Sequence, residues 1–114
     1  MTHDEKLQFT YTFHVLQKEI HQLAKDKGWY NRDRNELELI ALIMSELGEA
    51  VEAVREDAIS PKILGYKGVE EELADVIIRI MDMAGYYGYD IAGAIIDKHE
   101  YNKSRSHRHG GKKY

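Results

Sequence analysis

Cysteine is absent from the chain, so neither a disulfide nor a thiolate metal site can form. Proline occurs once, at Pro61. It sits in DAISPKILGYKG (57–68) with Gly65 and Gly68, and that stretch is predicted to be a connecting loop. No uninterrupted apolar run approaches the roughly 18–20 residues of a membrane span, so no membrane partner is expected. The opening MTHDEKLQFT lacks the basic-then-apolar form of a signal peptide, which makes the cytoplasm the expected compartment. Strand-like alternation is missing too, and no internal repeat stands out.

What remains is a helical sequence. The 114 residues fit one domain with a basic tail, bounded here as 1–103 and 104–114. The 43% apolar content suffices for a core, although a domain of this size gains from assembling with copies of itself. Helices are predicted over residues 4–26, 36–56, 69 to 85–88, and 91–103. Gly28 is read as the stop of the first and Asn35 as the N-cap of the second. Helices joined by short loops indicate an all-α antiparallel helical bundle.

Charge is unevenly spread. The net charge of −4 divides into −9 for residues 1–102 and a purely basic set beyond them: Lys103, Arg105, Arg108, Lys112 and Lys113. Half of the 20 acids lie between Glu46 and Asp82. An acidic middle followed by a basic tail suits a cation held first and an anion held by both.

The acids are also unusually placed. Around the second helix Leu37, Ile40, Met44, Leu47, Val51 and Val54 form one apolar stripe. Leu39, Leu42, Ile43, Ala50 and Ala53 form a second apolar surface on the far side. Glu46 projects from the middle of that second surface, and Glu49 sits at its margin. A helix apolar nearly all round is buried on two sides. On the third helix, Glu72 lies at the edge of the core stripe, with Asp75 and Arg79 on the adjacent flank. Each pair, Glu46/Glu49 and Glu72/Asp75, is spaced i, i+3 and so stacks on one side of its helix. Carboxylates among apolar neighbours must be neutralised, paired or bound to a cation. All-oxygen ligation suits Mg²⁺ or Mn²⁺. Glu52, Glu56, Glu70 and Glu71 are assigned instead to solvated helix faces.

ELGE (46–49) followed by ELAD (72–75) resembles the ExxE…ExxD signature of the all-α nucleoside triphosphate pyrophosphatases, the MazG-like family. The 22 residues between Glu49 and Glu72 are in keeping with that family's spacing. KHEYNKSR supplies Lys98, Asn102 and Arg105 in the order of the family's K-x3-N-x2-R element, and the HGGKKY ending is similar to that of small MazG-like proteins. The resemblance covers roughly residues 20–114. It implies hydrolysis of a nucleoside triphosphate to the monophosphate and pyrophosphate in a homo-dimer or tetramer. Glu46, Glu49, Glu72 and Asp75 become metal ligands for Mg²⁺, and Lys98, Asn102 and Arg105 phosphate contacts. Trp29 and His21 fall near positions of base-contacting residues. One group of relatives has a tyrosine one turn after the Asp; Arg79 stands there here, so that group's base pocket does not carry over.

The chemistry is consistent with that implication. Bound cations offset the charge of a phosphoanhydride and stabilise the departing pyrophosphate. Positioning and electrostatics supply most of the rate, so no Ser or Cys nucleophile is required. Glu49, at the margin, is the candidate catalytic base for the attacking water. Two rival readings stand beside the enzyme. A nucleotide-sensing module would bind without turnover. A nucleic-acid binder would use the basic tail, but the net −9 before it repels a duplex, so nucleic acid is not an expected partner. Trp29 suits a plug at a helix end as well as a base contact, and Lys98, Asn102 and Arg105 suit a solvated stripe as well as phosphate.

Overall fold

A computed structural model describes residues 1–105, and these fold into four helices with no strand: α1 (His3–Asp26), α2 (Glu36–Arg55), α3 (Gly68–Tyr87) and α4 (Ile91–Lys103). Most of the predicted basic tail, including His107 and His109, lies outside the described residues. No helix among the described residues is long and apolar enough to cross a membrane.

Local chemistry sets the helix ends. Thr2 and Glu5 form a reciprocal capping box at the start of α1: the Glu5 amide donates to Thr2 Oγ1, and the Thr2 amide to Glu5 Oε1. Gly28, at φ +88°, closes α1, with its own amide on Lys25 O and the Trp29 amide reaching back to Ala24 O. That left-handed turn favours glycine. Asn35 caps α2 through its side chain, which accepts from the Glu38 amide at 2.9 Å.

The described chain divides into two compact units, residues 16–89 in one and residues 1–15 with 90–105 in the other. In the first, α2 and α3 pack antiparallel, as three pairings along their length show. Ala53 adjoins Gly68, Glu46 bonds Arg79, and Tyr87 donates to Arg34 O. Gly68 leaves little room for a side chain. A Cβ there would sit 3.2 Å from Ala58 O and 3.3 Å from Ala53 Cβ. The buried apolar residues of this unit are Leu39, Ala50, Met81, Met83 and Ala84. On α2 the buried side is the surface that carries Glu46, while Leu37, Ile40, Met44, Leu47, Val51 and Val54 all stay exposed.

The second unit is built from the start of α1 and α4. Lys6 and Glu100 pair at 3.6 Å, and His14 Nε2 lies 3.2 Å from Asp90 Oδ1. That same Asp90 oxygen caps α4 by accepting from the Gly93 amide.

Candidate functional site

Antiparallel packing sets the later turns of α2 against the early turns of α3, and this brings the acids together. One carboxylate oxygen from each of Glu46, Glu49 and Glu72 lies within 4.8 Å of the others, and Glu71, Glu72 and Asp75 form a second such group. The four carboxylates predicted as ligands thus fall into two overlapping groups that share Glu72.

Glu71 requires a correction. Expected on a solvated face, it is only 8% exposed, and its Oε1 accepts from Ser60 Oγ at 2.7 Å. The reason is the loop. Residues 57–67 fold back on themselves, with the Ser60 amide on Tyr66 O and the Gly68 amide on Ala58 O, and so cover the first turn of α3 on the Glu71 side. Ser60 Oγ also accepts from the Ile63 amide, which ties the loop to that carboxylate. Helical spacing cannot reveal such a covering. Glu52, Glu56 and Glu70 are exposed, as expected, and Glu70 accepts from the Lys67 amide at the start of α3.

Glu46 is 8% exposed; Arg79 Nε donates to its Oε1 at 2.9 Å, while Oε2 is buried without a hydrogen-bond partner among the described residues. Glu72 Oε2 is buried and unpartnered in the same way. Such oxygens are costly unless something positive reaches them. Burial alone pushes the Glu46 carboxyl up, but the Arg79 hydrogen bond and the neighbouring acids outweigh it and hold the group below the usual range. Glu72 goes the other way. Burial, then the adjacent carboxylates Glu49 and Glu46, push it up to about 7. Asp75 is also raised, by burial first and then by the charges of Glu46 and Glu71. Near neutral pH, then, a proton shared with Glu72 supplies part of the missing positive charge.

The linkage has a definite sign. Because the folded value of about 7 lies above the ordinary 4.5, Glu72 contributes stability that is fully present below pH 4.5 and lost as pH rises through 7. Ionisation of Glu72 on taking up a divalent cation must release that proton. Calorimetric Mg²⁺ titrations in buffers of different ionisation enthalpy are expected to show close to one proton released near pH 6, falling toward none above about pH 8. Glu72→Gln removes the dependence, and equal release at both pH values in the native chain would contradict the assignment. The donor set, all carboxylate oxygen with two orphaned buried atoms, fits a hard divalent cation.

Beside the carboxylates opens a cleft of about 440 Å³ bordered by Trp29, Glu46, Lys62, Asp75, Arg79 and Asp82. Arg79 lies over the Trp29 ring at 4.9 Å from its centroid. His21 is tied to this cleft through Asp82: its Nδ1 lies 2.8 Å from Asp82 Oδ1, and Tyr30 OH donates to Oδ2 at 2.7 Å. Tyr30 stacks on Tyr86 with centroids 4.6 Å apart, and burial together with the Asp82 bond raises its phenol. Sequence reasoning missed Asp82, although a signal existed: Glu72, Asp75, Arg79 and Asp82 follow 3, 4, 3 spacing on α3 and share a face. Nothing local marks Tyr30 or Lys62.

Lys98, Asn102 and Arg105 belong to the other unit. Lys98 and Asn102 border a shallow groove on α4. Lys98 Nζ lies 4.6 Å from the Tyr101 ring centroid and Arg105 Cζ 5.8 Å from it, so one ring gathers both cations.

Comparison with family models, with curated proteins and with solved structures yields no match for this chain.

Proposed function

We propose that the chain is a Mg²⁺-dependent nucleoside triphosphate pyrophosphohydrolase of the all-α type, cleaving between the α and β phosphates and working as a homo-oligomer. One observation carries this reading: Glu46 and Glu72 each hold a buried oxygen with no hydrogen-bond partner among the described residues, and one carboxylate oxygen of each lies within 4.8 Å of one from Glu49. Glu46, Glu49 and Glu72 hold the cation, with Asp75 alongside; Mn²⁺ suits the same donors. The cation supplies charge neutralisation for the phosphates and the leaving pyrophosphate. Glu49, the exposed member of the group, takes the proton of the attacking water. The cleft beside Trp29 takes the nucleoside, with His21 held in register by Asp82. The exposed stripe of α2 supports assembly with a second copy, since a large apolar face is costly to leave in water.

The test is pyrophosphate release from a panel of ribo- and deoxynucleoside triphosphates, with Mg²⁺ and with EDTA. Metal-dependent release from one or a few of them is the expected result. Nucleotide binding without release from any member would replace the enzyme with a sensing module.

A further inference from the structure

Arg79 makes two contacts at once. Its Nε donates to Glu46 Oε1 at 2.9 Å, and its guanidinium carbon sits 4.9 Å from the Trp29 ring centroid. Its side chain is only 26% exposed, and its two terminal amino groups make no hydrogen bond among the described residues. Guanidinium does not lose its proton in proteins, so Arg79 is a permanent positive charge beside the carboxylate group. It bonds one oxygen of Glu46, and the other has no partner among the described residues. A divalent cation drawn to Glu46, Glu49 and Glu72 therefore meets a charge of its own sign already on Glu46, and like charges at this range repel. The cleft beside it is bordered by two further cations, Lys27 and Lys62, neither of which pairs with an acid among the described residues. Three acids, Glu46, Asp75 and Asp82, border the same cavity, so its charges balance until a divalent cation offsets the acids and leaves the three positive groups for an anion; a planar fork steadied on an aromatic ring suits the two oxygens of a phosphate.

We propose that Arg79 is a built-in counter-ion that holds Glu46 while the carboxylate group is without a divalent cation, and that on release it becomes a phosphate-binding residue of the substrate cleft. The proposal rests on the cation-site reading above and goes beyond it in assigning two alternating partners to one side chain. Glu46 exchanges one positive partner for another, so the acidic group is not left with its full repulsion at any stage. Trp29, which carries one face of the guanidinium, is the only tryptophan of the chain and so reports the exchange directly.

The experiment titrates the full-length protein with MgCl₂, without nucleotide, by calorimetry and by Trp29 emission in parallel. The expected result is a saturable change in emission whose midpoint matches the calorimetric one. Arg79→Met is expected to bind Mg²⁺ about tenfold more tightly, since the competing charge-assisted hydrogen bond is gone, and to lose the emission change. It also binds a non-hydrolysable α,β-methylene nucleoside triphosphate at least about tenfold more weakly at saturating Mg²⁺. Arg79→Lys keeps the charge without the planar stack; its expected Mg²⁺ affinity is close to native, with a diminished emission change. Mg²⁺ heat with a silent Trp29 in the native chain overturns the proposal and leaves the cation site standing. An emission change that persists in Arg79→Met does the same. No Mg²⁺ heat in the native chain removes the cation site itself, and the exchange with it.

Discussion

Glu46→Gln is expected to lower pyrophosphate release by about a thousandfold or more, equivalent to roughly 4 kcal/mol of transition-state stabilisation. The amide keeps the size of the side chain and an oxygen that can still accept from Arg79. It loses the negative charge that, with Glu49 and Glu72, draws the cation. The fold should barely respond. Removing one charge from the Glu46–Glu49–Glu72 group relieves repulsion and offsets the weakened ion pair with Arg79. Circular dichroism is therefore expected to show native helix content in the variant, and calorimetry a large loss of Mg²⁺ affinity. Glu19→Gln, on the exposed side of α1, serves as the control and leaves the rate within about twofold. A native rate in Glu46→Gln would remove the acidic group from the chemistry altogether.

The second large effect concerns assembly. Met44 and Val51 are 65% and 52% exposed in the single chain and lie seven residues apart on the unpartnered stripe of α2. Covering each half-exposed side chain of that stripe gains about 1 kcal/mol or more, so six per subunit suffice for a stable association. Met44→Glu combined with Val51→Glu puts carboxylates into the same contact on both subunits, where desolvation and mutual repulsion oppose each other's burial. Sedimentation equilibrium is expected to show the native chain as a dimer or larger and the double variant as a monomer with unchanged helix content. Turnover should fall with assembly. A native chain that sediments as a monomer at micromolar concentration would rule out this role for the stripe.

The helices were legible because their ends are local events. Asn35 caps its own helix three residues on, Gly28 turns the chain at its own φ, and both signals lie within a few residues of the boundary they set. Glu46 was legible for a related reason. Helical spacing alone places it amid Leu39, Leu42, Ile43 and Ala50, and the structure buries that side. Glu71 was not legible. Three consecutive glutamates begin α3, and which of them turns inward depends on Ser60, eleven residues earlier in a loop without a periodic pattern. The pairing of Arg79 with Glu46 spans 33 residues and its stacking on Trp29 spans 50, distances over which no motif carries information. Asp82 lies between these cases: its spacing from Asp75 and Arg79 was visible, but its hold on His21 and Tyr30 emerges only when α1 and α3 meet.

The antiparallel pairing of α2 and α3 has a kinetic consequence. Glu46, Glu49, Glu72 and Asp75 all fall within residues 46–75, on either side of a single connection, so the group forms by closing one short loop. Glu49 and Glu72 stand 23 residues apart, so this contact is non-local and forms after the two helix segments that present it. The same closure drives like charges together before much apolar surface has been buried. Electrostatic repulsion thus opposes that closure, and dissolved salt or divalent cations, by screening those charges, relieve it.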